Sequence, residues 1–265
     1  MNRKNYGEKT VINYSSCIQS FLIHFDKIVK EPIKINEGQI KEYLAKFNCP
    51  NSQRSNHSAI KCFFKYTLRQ PNKFKFIEYA RKDRKLPIVL SVDEVQKLFN
   101  VCQNRKHRVI LSILYSCGLR VSELINLKWS HIDRSRMIIN VIAGKGKKDR
   151  QVPLDSKIIP LLEDYWREYN PKEYVLNGQS DIQYSQRSVL QVVKQLANKA
   201  KIDNKRVYTH LLRHCSFTHL VEAGADINIV QRLAGHSSVS TTGLYLHISH
   251  NHISKIKSPL NAISI

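Results

Sequence analysis

With 265 residues, 42% of them apolar, the chain has enough material for one large core or two modest ones, and a folded, soluble protein is expected. Its 43 Lys and Arg against 21 Asp and Glu leave a net charge of +22, far more than solubility asks for, which points to a polyanionic partner. No apolar run approaches the ~18 residues of a membrane span, no leader follows Met1, and the six scattered cysteines include no C-x-x-C pair. A membrane protein, a secreted precursor and a disulfide scaffold are therefore not expected; a cytoplasmic protein with reduced, mostly core cysteines is.

The positive charge is densest at the N-terminus, with 18 basic and 7 acidic residues up to Ile88 against 25 and 14 in a remainder twice as long. Residues 10–25 carry Val11, Tyr14, Cys17, Ile18, Phe21, Leu22 and Phe25 at helical spacing behind Thr10, a potential cap. Residues 36–47 and 52–68 read as two more amphipathic helices, so residues 1–70 form a small helical bundle. Arg54, Lys61, Lys65 and Arg69 flank the apolar face of the third helix, where they suit a phosphate backbone and a solvated face equally. Residues 71–88 break the pattern between two prolines and are rich in charge, including Lys82 and Lys85, which reads as a basic linker.

A capping box, Ser91 with Glu94, opens a second helical domain spanning 89–249. Residues 109–115 continue it as a buried helix. Gly118 ends that segment and a new helix begins at Arg120, with Glu123 three residues on. That arginine is placed to turn its fork on a phosphate while the carboxylate orients it, although taken alone such a pair is more often a surface ion pair. Residues 137–143 and 150–154 are β-branched and form a hairpin whose tip, G-K-G-K-K-D, carries Lys145 and Lys147, with Arg150 opening the second strand. A solvated turn would use the same residue types. Helices follow at 158–169, 185–200, 209–223 and 227–234, the last two closed by Gly224 and Gly235. A tail, 250–265, carries Ile253, Ile256, Leu260, Ile263 and Ile265 with nothing local to pack on, and it suits docking in cis or on a neighbouring molecule.

The chemistry-bearing residues are Arg120, Lys145, His210, Arg213, His236 and Tyr245, each a cation, a donor or a nucleophile. His210 and Arg213, three apart, share a helical face. Transfer of a phosphodiester uses such a set: arginines neutralise the non-bridging oxygens, a tyrosine attacks, an imidazole takes its proton and a lysine protonates the leaving oxygen. His210, His214 and His219 also invite a metal reading, but no acidic ligand accompanies them and Arg213 would repel a cation.

The stretches G-L-R-V-S-E-L (118–124), G-K-G-K-K-D-R (144–150), H-L-L-R-H (210–214) and L-A-G-H-S-S-V-S-T-T-G-L-Y (233–245) resemble the tyrosine recombinase, or phage integrase, family, and the Xer type within it. The resemblance implies a mainly α fold with a small β-hairpin or sheet in the catalytic domain (α+β), and a SAM-like helical core-binding domain completing a two-domain, C-shaped clamp on double-stranded DNA. It implies that Arg120, Arg213 and His236 hold the scissile phosphate, that Lys145 is the general acid and His210 assists proton transfer, and that Tyr245 forms a 3′-phosphotyrosyl bond. Glu123 would orient Arg120, and Arg54, Lys61, Lys65, Arg69, Lys82, Lys85, Lys147 and Arg150 would contact DNA. No metal and no ATP would be needed, since the covalent link keeps the phosphodiester energy. A dimer on each site and a homotetramer exchanging strands through a Holliday junction would be the working assembly. The competing readings are a type IB topoisomerase and a DNA-binding relative without activity.

Overall fold

The computed structural model describes residues 6–26, 28–29, 31–78, 88–142, 149–178, 183–203, 207–208, 210–236, 242–243 and 245. They belong to two compact units, Met1–Lys85 and Leu86–Ile265.

The first unit packs α1 (Glu8–Phe25), α2 (Glu37–Ala45) and α3 (Pro50–Tyr66) around Phe21, Ile40, Tyr43, Ile60 and Phe64. Tyr43 meets Phe21 edge-on at 5.1 Å, the arrangement that ring quadrupoles favour. Helices α2 and α3 differ by one to two residues at each end from the sequence reading, and two further differences bear on the packing. Helix α1 starts at Glu8 after Gly7, so Thr10 lies inside the helix instead of capping it, and an acidic residue meets the positive end of the helix dipole. The supposed linker begins later than Pro71: a 3-10 turn, Pro71–Phe74, is followed by Ile77, and both Phe74 and Ile77 are buried in the first core. The stretch K-F-K-F-I-E-Y (73–79) has no helical or alternating period to tell buried Phe74 and Ile77 from exposed Phe76. Along α3, Arg54, Lys61 and Lys65 recur at spacings of seven and four on one side of the helix. Lys65 and, past the helix end, Arg69 are exposed; Arg54 and Lys61 are half-buried. Lys82 and Lys85 lie outside the described residues.

The second unit contains α4 (Val92–Asn100), α5 (Arg105–Ser116), α6 (Val121–Ile125), α7 (Ile158–Tyr169), α8 (Gln186–Lys199), α9 (Leu211–Glu222) and α10 (Ile227–Ala234). The capping box at α4 is formed: the Glu94 N–H donates to Ser91 Oγ at 3.1 Å and the Ser91 N–H to Glu94 Oε2 at 2.9 Å. The expected hairpin is a three-stranded antiparallel sheet, β1 (Ile132–Asp133), β2 (Ile138–Val141) and β3 (Arg150–Pro153), in that order. Strand β1 is two residues long and shows no alternation in sequence. Ile139, Val141 and Val152 face the main core. Helix α9 is buried on nearly every side, with Leu211, Leu212, Arg213, Cys215, Ser216, Phe217, Thr218 and Val221 all covered, so it runs through the interior.

Gly118 joins α5 to α6 at φ +57°, and a Cβ there would lie 2.6 Å from Phe217 Cζ. Both the left-handed backbone and the aromatic ring demand glycine. Gly118→Ala is expected to cost roughly 2–4 kcal/mol, read as a lower urea midpoint with an unchanged slope; an unchanged midpoint would show that this turn carries no such constraint.

Candidate active site

Three arginines converge on the carboxylate of Glu123 and the C-terminal carbonyls of α10. Arg120 is the residue before α6, and its backbone N–H and Nη1 donate to Glu123 at 2.8 and 2.7 Å. Arg150 donates through Nη1 and Nη2 to the two oxygens of the same carboxylate at 2.8 and 2.7 Å. Burial alone would raise the Glu123 pKa, but the hydrogen bonds and charge of Arg150, with those of Arg120, outweigh it and hold the carboxyl at about 2. Glu123 is therefore ionised throughout the physiological range.

Arg120 Nη2 and Arg213 Nη2 both donate to Ala234 O, at 3.2 and 2.5 Å, and Arg213 Nη1 donates to Gly118 O. These carbonyls, with the Phe217 ring 4.7 Å from the guanidinium carbon, explain how a side chain only 4% exposed stays charged. Burial first, then repulsion from Arg120, lowers Arg213 to about 10, still protonated at neutral pH. Ala234 O sits at the negative end of the α10 dipole, which favours the guanidiniums gathered there.

Gly235 ends α10 at φ +59° and turns the chain into His236. The His236 ring pairs through Nδ1 with Thr242 Oγ1 at 3.1 Å and stacks on Tyr245, centroids 6.2 Å apart at 11°. Burial, then Arg213 and Arg120, push His236 down to about 4, so its imidazole is neutral near pH 7. Tyr245 is only 1% exposed, enclosed by His236, His214 at 5.7 Å and Phe217 at 5.6 Å. Burial raises its pKa while Arg213 and Arg120 work against the rise. The phenol thus lies beside the cations that would stabilise its anion, and its ring is covered.

Arg120, Arg213, His236, Tyr245 and Glu123 come together as the sequence suggested. His210 is exposed at the start of α9, its ring 6.5 Å from that of His214. Lys145 and Lys147 lie outside the described residues. Arg150 requires correction: instead of facing DNA from the hairpin, its side chain is 9% exposed and its Nε donates to Leu233 O at 2.8 Å. The alternation of β3 held the signal, because Arg150 shares a face with buried Val152. His214 was weighed only as a metal ligand. Burial, then His210 and Arg213, lower it to about 4, and its Nδ1 is buried with no hydrogen-bond partner among the described residues. His219 spends its two nitrogens on Tyr115 Oη and Leu90 O, which removes it from any metal set. No group of three His, Cys, Asp or Glu able to hold a metal ion occurs among the described residues.

The two depressed histidines make stability depend on acid. Unfolded, each titrates near 6.5; folded, each stays neutral to about 4. Their contribution is complete above 6.5 and is lost as pH falls from there toward 4, because the unfolded state binds the protons first. His57, His107 and His131 are lowered by burial too and act with the same sign. Urea unfolding is expected to show a loss on the order of 1–3 kcal/mol between about pH 7 and pH 5, the full shifts being discounted for the solvent that reaches the half-buried rings; an unchanged or rising midpoint would contradict this arrangement of the imidazoles.

The profile of the phage integrase family matches residues 89–252, and that of its N-terminal SAM-like domain matches residues 1–73. The tyrosine recombinase XerD of Staphylococcus aureus is 33% identical over 255 residues, covering 88% of this chain and 83% of the relative. Two solved structures share the fold. XerH site-specific recombinase in a post-cleavage complex with palindromic difH substrate has a TM-score of 0.80 at 22% identity, covering 95% of this chain and 80% of that one. A lambda integrase tetramer bound to a Holliday junction has a TM-score of 0.75 at 19% identity, covering 96% of this chain and 76% of that one. With its arginines, histidine and tyrosine brought to one place on that fold, the chain belongs to the phage integrase family and is a tyrosine site-specific recombinase.

Proposed function

We propose that recombination by this chain runs through a 3′-phosphotyrosyl intermediate on Tyr245, with the scissile phosphate seated on Arg120, Arg213 and His236. The observation that carries this reading is the pair of guanidiniums fixed on one carbonyl, Ala234 O, beside a stacked His236–Tyr245 pair. Two cations held in place before substrate arrives meet the charge of a pentavalent phosphorane without reorganising at the moment of reaction. His236 donates to a non-bridging oxygen through Nε2–H, which requires the Thr242 hydroxyl to donate to Nδ1.

Tyr245 Oη attacks phosphorus as the bond to the 5′ oxygen breaks. Lys145 gives a proton to that oxygen, and His210 assists removal of the phenolic proton. A 5′-hydroxyl from the partner strand then displaces the tyrosine, restoring a phosphodiester, so one bond is exchanged for another and no ATP enters. The guanidiniums supply the positive charge that phosphoryl transfer demands, and we assign no metal to the site. Because Tyr245 is covered in this structure, productive binding includes exposure of its ring.

Double-stranded DNA carrying the recombination site is the partner. Arg54, Lys61, Lys65, Arg69, Lys82, Lys85 and Lys147 supply backbone contacts, in keeping with the net charge of +22. A dimer on each site and a tetramer around a Holliday junction form the working assembly; the lambda integrase tetramer of the same fold supports this. The test uses nicked suicide substrates drawn from DNA flanking the coding sequence, on which release of a short fragment traps the cleaved state. The expected product is an SDS-stable adduct on the 3′ side with a free 5′-hydroxyl. An adduct on the 5′ side, or none on any substrate the protein binds, would contradict the mechanism.

A further inference from the structure

We propose that Arg150 is a positioning residue for strand cleavage, the cross-piece that fixes Arg120 and the Gly235–His236 turn at one spacing. The inference rests on the reading of Arg120 and His236 as phosphate-holding groups. All three guanidinium nitrogens of Arg150 are spent inside the protein: Nε on Leu233 O, Nη1 and Nη2 on Glu123. The two-pronged end of the guanidinium is turned inward on Glu123, and the side chain is only 9% exposed.

Each end of the cross-piece leads to a group that would touch the phosphate. At one end, both Glu123 oxygens accept from Arg150 and from Arg120, so Arg150 sets the plane of the carboxylate that orients Arg120. At the other end, Leu233 O precedes Ala234 O, the shared acceptor of Arg120 and Arg213, and Gly235 and His236 follow directly. Arg150 Cδ lies 3.1 Å from where a Gly235 Cβ would stand, so the arginine stem backs the turn itself. Arg150 also opens β3 opposite Val141, at the base of the loop that carries Lys145 in sequence.

Charge completes the argument. Glu123 paired with Arg120 alone would cancel the charge that Arg120 offers to a phosphate. With Arg150 on the same carboxylate the triad keeps a positive charge, and Arg213 adds another, a better match to a phosphorane than to the singly charged diester.

The experiment compares wild type, Arg150→Ala and Arg150→Lys by single-turnover cleavage of a suicide substrate at saturating protein, with DNA affinity measured across a salt series. Arg150→Ala is expected to cleave roughly 100-fold more slowly, the scale set by a misplacement of about 1 Å. Its DNA affinity and the slope of log K against log salt should stay at the wild-type values. Arg150→Lys keeps the charge but cannot span Glu123 and Leu233 O together, so an intermediate rate, about 10-fold below wild type, is expected. If the alanine variant does not fold, the lysine variant carries the test alone. Wild-type cleavage rates in the variants overturn the proposal, as does a salt slope lowered by about one with normal cleavage at saturation, the signature of a direct phosphate contact. Absence of an adduct with wild type brings down the phosphotyrosyl reading, and this inference with it; normal wild-type adducts with unaffected Arg150 variants bring down this inference alone.

Discussion

Tyr245→Phe is expected to abolish the covalent protein–DNA adduct and all strand joining while leaving DNA binding at the wild-type level. The substitution removes one oxygen. The ring stays among His214, Phe217 and His236, and the packing that makes Tyr245 one of the largest fully buried side chains is kept. Stability should therefore change by no more than about 1 kcal/mol. On the proposed backbone contacts, DNA affinity comes from lysines and arginines and does not depend on the phenol. Gel-shift titration beside an SDS-resistant adduct assay separates the two properties. Residual adduct in the variant would point to another nucleophile, and loss of binding would mean that the covered tyrosine holds the DNA-binding form together. A DNA-binding relative without activity would show no adduct even in the wild type.

Arg213→Ala should cost both cleavage and stability, and the structure gives the reason for each. The guanidinium is 4% exposed and bridges Gly118 O to Ala234 O, from the turn before Arg120 to the turn before His236. Its removal leaves Gly118 O without that donor, opens space against Phe217 and deletes half of the prepositioned charge. Loss of one such donor slows acyl or phosphoryl transfer by roughly 100- to 1,000-fold, and because Arg213 also fixes the carbonyl that Arg120 uses, the upper end is expected. The orphaned carbonyl and the cavity together should cost about 2–5 kcal/mol. Arg213→Lys separates the two effects: it retains a cation but reaches only one of the two carbonyls, so more stability than cleavage should return. The measurement is single-turnover cleavage well below the melting temperature of each variant, with thermal melts alongside. Cleavage at the wild-type rate in Arg213→Ala would remove this side chain from the chemistry.

The helices that build both cores were legible because each carries a stripe of apolar residues at helical spacing, and the capping serine and the closing glycines marked several of their ends. The groups of the candidate site were legible because they are polar residue types that a core avoids, set in four short motifs. Among the features that were hidden, three have a clear physical reason. Strand β1 is too short to alternate. The limit of the first unit depends on Phe74 and Ile77, whose burial beside exposed Phe76 is a tertiary fact. Arg150 looked like one more basic residue of a hairpin tip, and only the pairing of β2 with β3, which puts it on the inward face with Val152, turns it toward Glu123. Main-chain groups were beyond reach altogether: Ala234 O and Gly118 O organise the arginines, and any side chain at Ala234 would leave that carbonyl in place.

The most direct test of the central claim is to trap wild-type protein on a suicide substrate, digest the adduct with protease and nuclease, and identify the nucleotide-bearing peptide by mass spectrometry. The expected result is a nucleotide joined through its 3′ phosphate to Tyr245. A nucleotide on any other residue, or linkage through a 5′ phosphate, would contradict the account.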